Sequence, residues 1–127
     1  MTALRTPLKT ALALGSAKHG VHHFLVQRIT AVALLLLGLW FVWLVLRLPG
    51  LDYAGAHALL AEPCNALLMA LFVIAVFWHA QLGLQVVIED YVHSHGWQLV
   101  LQVAIRLLCI LGAAAGVLAV LRIALGR

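Results

Sequence analysis

The chain is 127 residues long, 65% hydrophobic and only 9% charged, with eight Lys or Arg against four Asp or Glu. Soluble domains run about 45–50% apolar and about 25% charged, so this composition excludes an ordinary soluble domain and predicts an integral membrane protein. The net charge of +4 is no nucleic-acid footprint, because the basic residues are scattered and mostly flank apolar runs. The length allows one all-α domain, 1–127. Cys64 and Cys109 lack metal-ligand spacing and read as small apolar residues.

Residues 1–20 form a polar, basic segment with Arg5, Lys9 and Lys18. Its stretch ALALGSA is too short for a signal-peptide core, so the segment is expected to be retained. Ile29–Leu46 is an unbroken apolar run with Arg28 and Arg47 at its ends and Trp40 and Trp43 toward the far one. Tryptophans favour the membrane–water boundary, and Pro49-Gly50 stops the helix, which predicts a first transmembrane helix over about 29–48. The connection that follows carries Asp52 and Glu62, and its stretch Ala54–Leu60 suits a short interfacial helix.

A second transmembrane helix is expected over about 66–88, where 23 residues contain no Lys, Arg, Asp or Glu. A third is expected over about 99–125, interrupted by Arg106, which must snorkel to the interface or face a partner. Gly112 and Gly116 in that helix make a GxxxG pattern, read either as a site of close helix approach or as ordinary small-residue content. Three crossings put the termini on opposite sides. The basic residues before the first helix and the acidic first loop then predict a cytoplasmic N-terminus, with the loop after the second helix also cytoplasmic.

The second helix holds the chemistry. An imidazole in hydrocarbon needs a partner, and an intramembrane ionisable residue marks a functional site by default. At 100° per residue, His79, Gly83, Val86 and Asp90 share one stripe. His79 reads as a structural hydrogen-bonding residue or as a haem ligand, with Gly83 leaving room for a porphyrin edge. A proton relay would want an acidic or histidine chain across the membrane, and none exists. His19, His22, His23, His57, His93 and His95 fall at interfaces or in loops, so a second axial ligand would come from another chain. Arg28, with His22 and His23 just before it, reads as a positive-inside anchor or as a partner for a haem propionate. Asp90 and Tyr91 read as a helix-ending boundary or as the polar lip of a quinone site.

The stretch HAQLGLQVVIEDYVH, His79–His93, resembles the signature of the smaller of the two membrane anchors, the D-type anchor, of succinate dehydrogenase, respiratory complex II. In that family a helix-two histidine is followed eleven and twelve residues later by Asp-Tyr, and His79, Asp90 and Tyr91 match the arrangement. GVHHFLVQRITAVAL, Gly20–Leu34, is similar to the family's first-helix entry, with Arg28 at its basic position. The resemblance implies a bundle of three transmembrane helices formed with a second, larger cytochrome b anchor in the bacterial cytoplasmic membrane. It implies a flavoprotein partner with FAD and an iron–sulfur partner. It also implies a haem b shared between the anchors, with His79 as this chain's iron ligand and Arg28 and His22 on the cofactor, and ubiquinone reduction at Tyr91 and Asp90. The competing expectation is a haem-free structural anchor of the fumarate-reductase type.

Overall fold

The computed structural model describes residues 18–126, with the side chains of Lys18 and His19 outside that description. Among the described residues four helices follow in order: α1 (Lys18–Leu46), α2 (Tyr53–Ala61), α3 (Pro63–Tyr91) and α4 (His95–Ala124). The first, third and fourth are long and apolar enough to cross a membrane. The expected polar segment 1–20 lies outside the described residues except for its last three, Lys18–Gly20, which are already helical. α1 therefore starts well before Ile29, carrying His22, His23, Gln27 and Arg28 as helical residues rather than as a lead-in. An apolar run measures the hydrocarbon thickness, while the helix itself continues through the interface.

Local chemistry fixes the turns. Gly50 adopts φ 94°, a backbone that a side chain at this corner would oppose. Asp52 caps α2, its Oδ1 accepting from the Gly55 amide at 2.8 Å. Pro63 opens α3, where its missing N–H costs nothing. Asn65, only 5% exposed, locks the α2–α3 elbow by donating to the Leu59 carbonyl and to Glu62 Oε2, each at 2.9 Å.

α3 is the central element. It packs against both α1 and α4, whereas α1 and α4 make no close backbone approach to each other. Phe41 of α1 stacks on Phe72 of α3 at 4.7 Å between ring centroids, and Leu44 of α1 is fully buried. The GxxxG pattern is a packing device within this chain. A Cβ on Gly112 would collide with the Phe77 ring, and one on Gly116 would lie 2.6 Å from Val73 Cγ1. Two aligned glycines thus receive two α3 side chains a turn apart, the close approach that drives helix association where lipid removes the hydrophobic incentive. Gly112→Leu should cost about 1–3 kcal/mol by overpacking. Pairing it with Phe77→Ala should recover part of that loss. Thermal unfolding of the purified protein, followed by monodisperse size-exclusion signal, reads both effects.

Candidate functional site

Between α1 and α3 lies a cavity of about 520 Å³, open on one side. Ligand sites commonly occupy about 300–1,000 Å³, so it is of cofactor size. From α1 it takes Gly20, His23, Phe24, Gln27, Arg28 and Ala31, a set spaced so that one helical face supplies all of it. From α3 it takes His79, Gly83 and Val86. Gly83 matters because a Cβ there would meet nothing nearer than Gln27 Nε2 at 4.0 Å, so the wall is recessed one turn from the imidazole.

His79 is held from across the helix pair. Its Nδ1 lies 2.9 Å from Thr30 Oγ1. The same hydroxyl lies 2.9 Å from the Val26 carbonyl and 3.0 Å from that of Gln27. A threonine in a helix commonly bonds back to the preceding turn in this way. Nε2 of His79 has no hydrogen-bond partner among the described residues, and the ring lines the cavity.

Two buried polar atoms of the cavity wall, His23 Nε2 and Gln27 Oε1, also lack partners among the described residues. Leaving such an atom unpaired costs about 1–3 kcal/mol, so each calls for something to bond it. Arg28 lines the cavity and is exposed, its guanidinium 5.0 Å from the Phe24 ring centroid. The neighbouring residues part company here. His22 is exposed and does not line the cavity, because successive helical residues point about 100° apart; His23 does line it. A neutral amide and a lone threonine gave the sequence no spacing signal, so Gln27 and Thr30 become visible only through the pairing of α1 with α3, which also separates His23 from His22.

The chemistry of the wall suits a planar, acid-bearing metal cofactor. There is one imidazole with a ring nitrogen to spare, a recess beside it, apolar sides, and a guanidinium and a second imidazole in the lining. Among the described residues no three of His, Cys, Asp and Glu assemble as a metal-binding set.

Asp90 and Tyr91 end α3, both exposed, Tyr91 at 78%, and neither lines the cavity. Asp90 continues the His79 stripe by angle but sits about 16 Å further along the axis. Toward α4, Glu89 Oε1 accepts from Gln85 Nε2 at 2.9 Å and from Gln102 Nε2 of α4 at 3.2 Å. Arg106 borders this seam together with Gln81, Gln85 and Gln102. The arginine that looked isolated in an apolar run is exposed and edges a small recess between α3 and α4 whose other polar residues are glutamines.

An open set of three membrane-spanning helices, with a cavity of cofactor size lined by histidines at one end, defines a multi-pass membrane protein. Residues 2–121 match the family described as "Succinate dehydrogenase/Fumarate reductase transmembrane subunit", and the chain belongs to that family. It is similar to proteins named succinate dehydrogenase hydrophobic membrane anchor subunit. That of Rickettsia bellii is 41% identical over 106 residues, covering 84% of this chain and 85% of that protein. That of Rickettsia conorii is 36% identical over 83% and 84% of the two chains. The Paracoccus denitrificans protein is 40% identical over 86 residues, 68% of this chain and 67% of that one.

Proposed function

We propose that this chain is the D-type anchor of a succinate:ubiquinone oxidoreductase. It holds a flavoprotein with FAD and an iron–sulfur subunit at the membrane, shares a haem b with a second, cytochrome b anchor, and contributes to ubiquinone reduction. The cavity between α1 and α3, with His79 in its wall, is the observation that carries this reading. A haem b bound there would supply a one-electron redox site. His79 would offer its ring nitrogen to the iron, Gly83 would leave room for the macrocycle, and Arg28 would pair with the propionates. His22 was the expected companion of Arg28; the cavity wall favours His23, whose buried Nε2 wants a partner. Gln27 closes the same wall.

At the end of α3 the Tyr91 hydroxyl donates to a quinone carbonyl oxygen, and Asp90 beside it passes protons inward from the aqueous side. Their exposure in the single chain suits an interface completed by other subunits. Oxidation of succinate takes place in the flavoprotein. This chain has no activity alone.

The test is isolation of the intact complex through a tag on this chain, with identification of the co-purifying proteins and a reduced-minus-oxidised spectrum. A flavoprotein, an iron–sulfur protein, a second anchor and a b-type haem are expected. The same partners without haem would replace the reading with that of a structural anchor.

The orientation is tested separately. α1 and α4 start, and α3 ends, at the same side of the bundle, and Arg5, Lys9, Lys18 and Arg28, all ahead of the apolar run that begins at Ile29, favour the cytoplasm for that side. In a chain carrying Cys64→Ala and Cys109→Ala, a cysteine at position 52 should label from outside intact cells and one at position 94 should not. The reverse pattern would move the quinone site to the other face.

A further inference from the structure

We infer that Thr30 is the positioning residue for His79: its hydroxyl oxygen accepts the Nδ1 proton and so presents Nε2 to the metal. This rests on the haem reading above and deepens it. The hydroxyl has a single proton and two lone pairs. Two acceptors of that proton stand ready on its own helix, the carbonyls of Val26 at 2.9 Å and Gln27 at 3.0 Å. With the proton committed to either carbonyl, the oxygen faces Nδ1 at 2.9 Å with lone pairs alone, and only an Nδ1–H can answer it. A neutral imidazole carries one N–H, so placing it on Nδ1 leaves the Nε2 lone pair for iron.

The opposite arrangement, with the hydroxyl donating to Nδ1, puts the ring proton on Nε2 and blocks ligation. Metal-bound histidines almost always donate their second ring nitrogen to an acceptor, which orients the ring and raises its basicity. Inside a membrane no bulk water can stand in for that acceptor. Among the described residues Thr30 is the one partner that Nδ1 has. A hydroxyl performs the task without bringing a second charge into the apolar layer, as a carboxylate would. The bond also joins α1 to α3, whose side chains form the two walls of the cavity, so ring orientation and cavity width are set by one contact.

The inference separates the hydroxyl from the methyl group. Thr30→Val keeps the branched shape and deletes the acceptor; Thr30→Ser keeps the acceptor and deletes the methyl. The experiment uses the intact complex of wild type, both variants and His79→Ala, with two readouts: the haem midpoint potential and the rate of haem transfer to apomyoglobin. Loss of an outer partner of a metal-bound histidine typically weakens metal binding about 10–100-fold, and haem transfer from Thr30→Val should accelerate within that range. Its potential should rise, because a less basic imidazole stabilises the ferric state less. Thr30→Ser should behave as wild type. If Thr30→Val fails to assemble, Thr30→Ala, which adds no bulk, must show the same rise and faster transfer.

Wild-type potential and transfer rate in the hydroxyl-free variants, alongside a His79→Ala complex that has lost its low-spin signal, would overturn the role of Thr30 and leave the haem reading intact. A His79→Ala complex with an unaltered low-spin signal would overturn both. Equal effects of Thr30→Val and Thr30→Ser would assign the residue to packing and also overturn the inference.

Discussion

A Tyr91→Phe complex should reduce ubiquinone on the order of a hundredfold more slowly than wild type, while its oxidation of succinate with an artificial acceptor stays unchanged. The substitution keeps the ring and its place at the end of α3 and removes one hydroxyl. A donor aimed at an oxygen that gains charge during reduction does more for the transition state than for the bound quinone. Losing such a donor from a preorganised site costs about 2.7–4 kcal/mol. Tyr91 is 78% exposed in the single chain, so the full effect requires that neighbouring subunits exclude water from the site. Water at the mouth would pull the loss toward the lower bound. Electrons reach the artificial acceptor upstream of this chain, which makes the ratio of the two activities the quantity to measure. An unchanged ratio would reduce Tyr91 to an interfacial aromatic.

The large features of the fold are legible because membrane spans announce themselves. Three apolar runs, each bounded by charge or by Pro-Gly, become α1, α3 and α4. The stripe of His79, Gly83 and Val86 is legible from helical periodicity alone, and those three residues line one cavity. Asp90 shares the angle but not the cavity, since a stripe fixes direction around the axis and says nothing of depth.

The start of α1 is hidden because polarity was the marker of the membrane edge. His22, His23, Gln27 and Arg28 are polar, yet they extend the helix and three of them build the cavity wall. The Thr30–His79 bond joins residues 49 apart in the chain, and no local pattern fixes the register between α1 and α3. Gly112 and Gly116 were ambiguous for the same reason. Their spacing allows a close neighbour, and only the fold names Phe77 and Val73 as that neighbour. Arg106 looked anomalous because its companions, Gln81 and Gln85, lie on another helix.

The most direct measurement of the central claim, that the cavity between α1 and α3 holds haem through His79, is the low-spin b-type spectrum of an assembled His79→Ala complex. The α3 helix stays apolar and long enough to insert, so the complex should assemble at wild-type stoichiometry. Alanine removes the one imidazole that this chain places in the cavity from α3 and leaves the recess at Gly83 untouched. Added imidazole fits that vacancy and should restore the ligand in part. The expected result is loss of the low-spin signal in the assembled variant, with partial return on adding imidazole. A fully assembled His79→Ala complex that keeps the wild-type low-spin spectrum without imidazole would contradict it.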